Sequence, residues 1–99
     1  MKKILLITFF LTIFLYAQND KKITLQLNWL NQFQFAGYYM AKEKGFYKDV
    51  NLDVQIKESK FNTDVVKEIE TKNADFAVGR SSLIIEKING KDIVALCAI

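Results

Sequence analysis

The 99-residue sequence contains no histidine and no proline, and only one cysteine, one tryptophan and four glycines. Lack of histidine excludes Ser-His and Cys-His catalysis and removes the commonest metal ligand. A single cysteine, Cys97, excludes an intramolecular disulfide and any zinc-type spacing. Set in an apolar run, Cys97 reads as a small buried residue rather than a nucleophile. With no proline to break the chain, glycine takes that role, and Gly45, Gly79 and Gly90 stand at the ends of patterned segments. Internal repeats, linkers and low-complexity segments are also lacking.

Positive charge is scarcer than the formal +3 suggests. Lys2 and Lys3 precede an almost unbroken apolar run from Ile4 to Tyr16, and polar Gln18, Asn19 and Asp20 follow it. This is the layout of a secretory signal, and the run is shorter than the roughly 20 residues of a spanning helix. The expected signal peptide is 1–17, cleaved near Ala17, which implies an exported, periplasmic protein; the alternative is an uncleaved membrane anchor. No cysteine lies at the junction to support a lipid anchor. Without Lys2 and Lys3, 12 basic residues face 11 acidic ones, and no basic patch suggests nucleic acid. About 80 residues remain, enough for a small domain with a thin core.

Ile23 to Trp29 alternates, with Ile23, Leu25, Leu27 and Trp29 on one side and Thr24, Gln26 and Asn28 on the other, which predicts a strand. Phe33 to Lys44 predicts a helix, closed by basic residues and Gly45. Phe46 to Asn51 reads as a turn, and Leu52 to Lys57 as a second strand. Asn62 or Thr63 is placed to cap a helix running to about Lys72, with Glu68 and Lys72 paired on its wet side. Asp75 to Val78 predicts a short strand, and Ser81 or Ser82 a cap for a helix through Ile88. Ile93 to Ile99 is continuously apolar and reads as a buried strand. Strands alternating with helices imply a parallel α/β sheet joined by right-handed crossovers. A chain ending on so apolar a strand reads as a truncated domain.

Ligands of open parallel sheets bind outside the carboxyl ends of the strands. Two loops fall there. In Asn28-Trp29-Leu30-Asn31-Gln32-Phe33-Gln34-Phe35, aromatics offer stacking faces and amides offer donors and acceptors; alternatively, Trp29, Phe33 and Phe35 are core and the amides form turns. In Gly79-Arg80-Ser81-Ser82, glycine admits a ligand to the backbone and the serines and helix N–H groups hold a polar group; alternatively, the serines cap and Arg80 is solvated. The carboxylates Glu43, Asp49, Asp53, Glu58, Asp64, Glu68 and Glu70 read as solvated charges.

The blocks Thr24-Leu25-Gln26-Leu27-Asn28-Trp29, Gln32-Phe33-Gln34-Phe35-Ala36-Gly37-Tyr38-Tyr39 and Ala41-Lys42-Glu43-Lys44-Gly45-Phe46-Tyr47 resemble the opening of SsuA/THI5-like (NMT1/THI5-like) solute-binding domains. Gly79-Arg80-Ser81-Ser82 after Asp75-Phe76-Ala77-Val78 looks like their third-strand loop. The resemblance implies that 18–99 is part of the first lobe of a two-lobed, type II-like periplasmic binding domain, whose full length is roughly three times greater. In such lobes a strand returning from the far lobe inserts between the third and fourth strands. The implied function is the substrate-binding component of an ABC importer, with a membrane permease as partner and a small molecule, such as a thiamine-precursor pyrimidine or a sulfonate, as ligand. The same domain also heads membrane-bound sensors, the second reading.

A third reading is enzymatic, since one branch of the family comprises the fungal thiamine pyrimidine synthases. That branch carries a histidine where this chain has Phe35 and a pyridoxal phosphate-binding lysine where it has Gly79, and its cysteine-rich iron motif would lie beyond residue 99. Both departures remove reactive groups, so no catalytic residue, cofactor or metal is expected. The expected ligand-binding residues are Asn28, Trp29, Gln32, Phe35, Tyr38, Gly79, Arg80 and Ser81. Trp29, Phe35 and Tyr38 would form an aromatic wall, Asn28 and Gln32 would read ligand amides or ring nitrogens, and Ser81 would hold a polar edge.

Overall fold

The structure is a computed structural model that describes residues 19–99. The signal-peptide expectation for 1–17 therefore lies outside the described residues. The alternating segment after Asp20 forms β1 (Lys21–Gln26), and a 3-10 turn (Phe33–Phe35) leads into α1 (Ala36–Glu43). Next come a short α2 (Phe46–Asp49), β2 (Leu52–Lys57), α3 (Val65–Glu70), β3 (Phe76–Ala77) and α4 (Leu83–Ile88). The three strands make one parallel sheet in the order β2-β1-β3, so the chain crosses back over β1 on its way from β2 to β3.

β1 is the central strand. Its six residues pair with β2 from Lys21↔Leu52 to Gln26↔Lys57. Bonds from Lys21 N–H to Asn51 O (2.9 Å) and from Leu27 N–H to Lys57 O (2.8 Å) extend that pairing at both ends. Leu27, Phe35, Val54, Val66 and Ala74 are the buried apolar residues. Gln26, assigned by alternation to the polar side, is also buried, at 1% exposure. Its Nε2 donates to Leu27 O (2.9 Å), Lys57 O (3.3 Å) and Glu58 O (3.4 Å), so the buried amide is satisfied by backbone at the ends of both strands.

Helix ends follow local chemistry. Gly45 adopts the left-handed region at φ 79° after α1, as the glycine signal predicts, but Phe46–Asp49 forms a helical turn rather than an irregular one. Lys42 does not serve the end of its own helix; its Nζ donates to Val54 O at 2.7 Å and ties α1 to β2. The cap of α3 is Asp64 and not Asn62 or Thr63: Asp64 Oδ1 accepts from Val66 N–H (2.9 Å) and Lys67 N–H (3.2 Å). Thr63 Oγ1 is engaged one turn back, accepting from Lys60 N–H at 2.8 Å. α3 ends at Glu70, with Lys72 in the left-handed region at φ 59°, and Glu68 pairs with Lys57 (3.1 Å) rather than with Lys72.

The segment Ile93–Ile99 corrects the largest sequence expectation. It is not a strand, and Val94, Leu96 and Ile99 are 77%, 72% and 99% exposed. Cys97, expected to be buried, is exposed as well. An apolar run becomes a parallel strand only where a neighbour pairs with its edge and layers cover both faces. Among the described residues it has no strand partner, and β3 offers a paired length of only two residues.

Candidate functional site

The strand order places the loops after β1 and β3 side by side at the carboxyl edge, where the direction of winding reverses. Between them and the start of α3 lies an open hollow of about 200 Å³. Asn28 comes from the first loop; Gly79, Arg80 and Ser82 come from the third; Thr63, Asp64, Val65 and Val66 close one side; Leu83 and Glu86 of α4 close the other. Backbone bonds tie the strand ends together: Ser59 N–H after β2 donates to Trp29 O (3.1 Å) and Val78 N–H after β3 donates to Gln26 O (2.9 Å).

Of the expected residues, Asn28, Gly79 and Arg80 line the hollow. Trp29 lies past the end of β1, half exposed, with the Arg80 guanidinium 5.4 Å from its ring centroid. That is cation–π range. Asn28 Oδ1 is closed off from solvent and has no hydrogen-bond partner among the described residues. A buried acceptor left unpaired costs about 1–3 kcal/mol, a penalty that falls on this loop.

The other expected residues sit elsewhere. Ser81 is exposed beside Arg80, and Ser82 takes the place on the hollow. The capping role foreseen for the serines is not seen at the start of α4: Ser82 makes no side-chain cap, and the N–H groups of Leu83, Ile84 and Ile85 turn back to the carbonyls of Arg80, Ser81 and Ser82 at 2.9, 3.1 and 3.0 Å. Gln32 is exposed and offers its carbonyl to Phe35 N–H (3.0 Å) at the head of the 3-10 turn. Phe35 is 3% exposed and belongs to the core. Tyr38 lies on α1, where part burial and then Cys97 raise its phenol pKa above the ordinary 10.0. Tyr47 is raised by burial and then by Tyr38. An aromatic wall of Trp29, Phe35 and Tyr38 around one hollow is thus not what the fold assembles.

Gly79 is explained by packing. A Cβ at this position would fall 2.1 Å from Leu83 Cδ1 and 2.8 Å from Leu83 Cγ. The space that glycine leaves is filled by the leucine of α4 rather than kept for a ligand.

Sequence reasoning did not single out Thr63 or Glu86 for the site, named Ser82 only as part of the third-strand loop, and placed Asp64 among solvated charges. Asp64 was discoverable, because an acidic residue ahead of Val65-Val66 is a strong N-cap candidate. Glu86 carried no such signal. The acids act together electrostatically: Lys91 donates to Glu70 at 2.9 Å, and its pKa is raised first by that bond and by the Glu70 charge, then more weakly by Glu86 and Asp64. Among the described residues, no group of three or more histidine, cysteine or carboxylate side chains is placed to hold a metal ion.

The NMT1/THI5-like family model matches residues 32–99, well over half of the chain, and the protein belongs to that family. The match takes in β2, β3 and both sides of the hollow and begins just after Asn28 and Trp29. The family includes solute-binding proteins and thiamine synthase-like members. Neither a curated protein nor a solved structure matches the chain.

Proposed function

We propose that the chain is the ligand-binding part of a periplasmic solute-binding protein that delivers a small molecule to the permease of an ABC importer. The observation that carries this reading is the hollow at the strand ends, lined by Asn28 of the first loop and by Gly79, Arg80 and Ser82 of the third. Its other polar side chains are those of Thr63, Asp64 and Glu86, which complete a set suited to holding a ligand by hydrogen bonds and charge. Binding without catalysis fits the residues at Phe35 and Gly79, which offer neither a proton-transfer group nor an amine. A thiamine-precursor pyrimidine or a comparable ring compound suits the size: a cavity of about 150 Å³ admits benzene.

Trp29 is the one tryptophan of the chain, so intrinsic fluorescence reports on this site directly. Titration of the full chain with a thiamine-precursor pyrimidine and with an alkanesulfonate should change that fluorescence for at least one of them. Replacing Asn28→Ala should weaken binding by about tenfold, the scale of one lost buried hydrogen bond. Deleting the gene should abolish cellular uptake of the ligand that binds. A flat titration with both compounds removes the binding reading, and uptake that survives the deletion removes the importer role.

A further inference from the structure

The loop after β1 carries two groups of the site. Asn28 lines the hollow, and Trp29 lies under Arg80, which lines the hollow from the other loop. So irregular a segment has no ladder to hold it, and its hydrogen bonds come from neighbouring elements. Ser59, buried just past β2, donates its N–H to Trp29 O at 3.1 Å. One residue earlier, the Glu58 carboxylate accepts from Asn31 N–H at 2.5 Å, a short, charge-assisted bond. From α1, the Tyr39 hydroxyl donates to Asn31 Oδ1. Asn31 is thus gripped through its main chain by the end of β2 and through its side chain by α1. Glu58 is itself seated, since its carbonyl accepts from the Gln26 amide at 3.4 Å just beyond the paired length of β1 and β2. Neither Glu58 nor Tyr39 lines the hollow.

We propose that Glu58 and Tyr39 are positioning residues of the binding site, acting through Asn31 to hold Asn28 and the Trp29–Arg80 pair in place. The proposal rests on the binding reading above and adds residues from outside the hollow. Glu58 belongs to the charges that the sequence pattern assigns to solvent, yet its carboxylate has a defined task. Both bonds lie close to water, so each alone contributes modestly. Their effect comes from meeting on one residue. Loss of either frees the loop, lets the indole part from Arg80, and adds an ordering cost to binding.

Acrylamide quenching in the ligand-free full chain reads the position of Trp29, the one tryptophan present. Arg80→Ala sets the signature of an uncovered ring. Glu58→Ala should move the quenching constant and the emission maximum toward that signature. It should also weaken binding about fivefold for whichever of the pyrimidine and the alkanesulfonate binds, the scale of one exposed hydrogen bond. Glu58→Gln should restore both readings, because its side-chain carbonyl still accepts from Asn31 N–H. Tyr39→Phe should act in the same direction as Glu58→Ala, and it decides the question if circular dichroism shows the alanine variant unfolded. Unaltered quenching in Glu58→Ala and Tyr39→Phe overturns the positioning role, as does a Glu58→Gln variant no better than alanine. The two failures are distinct: the positioning role falls on the quenching comparison, and the binding reading falls on a flat titration of the unaltered chain.

Discussion

The two sides of β1 are built to different standards. On the β2 side, six residues pair in register, Gln26 stitches the strand ends together, and Val54 is buried beneath α1, which Lys42 pins in place. On the β3 side only two residues pair, and the helix that follows leaves Ile84, Ile85 and Ile88 66%, 61% and 79% exposed. Both sides are rich in apolar residues. The difference shows that composition supplies the means for a core, whereas burial depends on a second layer being present to cover it. The hollow lies on the less finished side, where one wall is α4 and the other is the capped start of α3.

The contrast can be broken most sharply in the core. Phe35→Ala should cost about 3–5 kcal/mol, enough to unfold a small domain, whereas Ile88→Ala should change stability by no more than about 0.5 kcal/mol. Urea denaturation followed by circular dichroism checks both, and equal losses would erase the distinction between the two sides. Gln26→Leu should come next, at about 1–3 kcal/mol, because it removes the donor that serves Leu27 O and Glu58 O. The smallest effect is expected at the end of α3, where Lys72 N–H reaches Ile69 O (3.0 Å) and Asn73 N–H reaches Glu68 O (2.9 Å) around a left-handed lysine. Glycine is at ease there, so Lys72→Gly should stabilise the chain by up to about 1 kcal/mol, read as a higher midpoint of thermal unfolding.

The same contrast marks where sequence reading succeeds. β2 is found at its observed bounds, since its period of two is strict from Leu52 to Lys57. The parallel α/β order through α4 also follows from pattern alone. Gln26 is misassigned because alternation does not report the end of β2, where the carbonyls of Lys57 and Glu58 take its amide out of solvent. Trp29 is read into β1 because hydropathy does not mark where pairing stops. Ile93–Ile99 shows the opposite failure: its residues suit a buried strand, but a strand is a property of the pair, and the described residues supply no partner. In the site, Asn28, Trp29, Gly79 and Arg80 were within reach because the loops after parallel strands are known places to look. Glu86 was not, because its position depends on how α4 leans against the loop after β1, which is set by tertiary packing.

The contact between Gly79 and Leu83 limits what this position could become. Any side chain introduced there meets the leucine at once, and a long one, such as an amine-bearing lysine, is seated only once the Leu83 side chain gives way. Acquiring a reactive group at that point therefore requires this leucine to repack along with the glycine's replacement. A lineage carrying this pair is mechanically discouraged from drifting toward covalent chemistry.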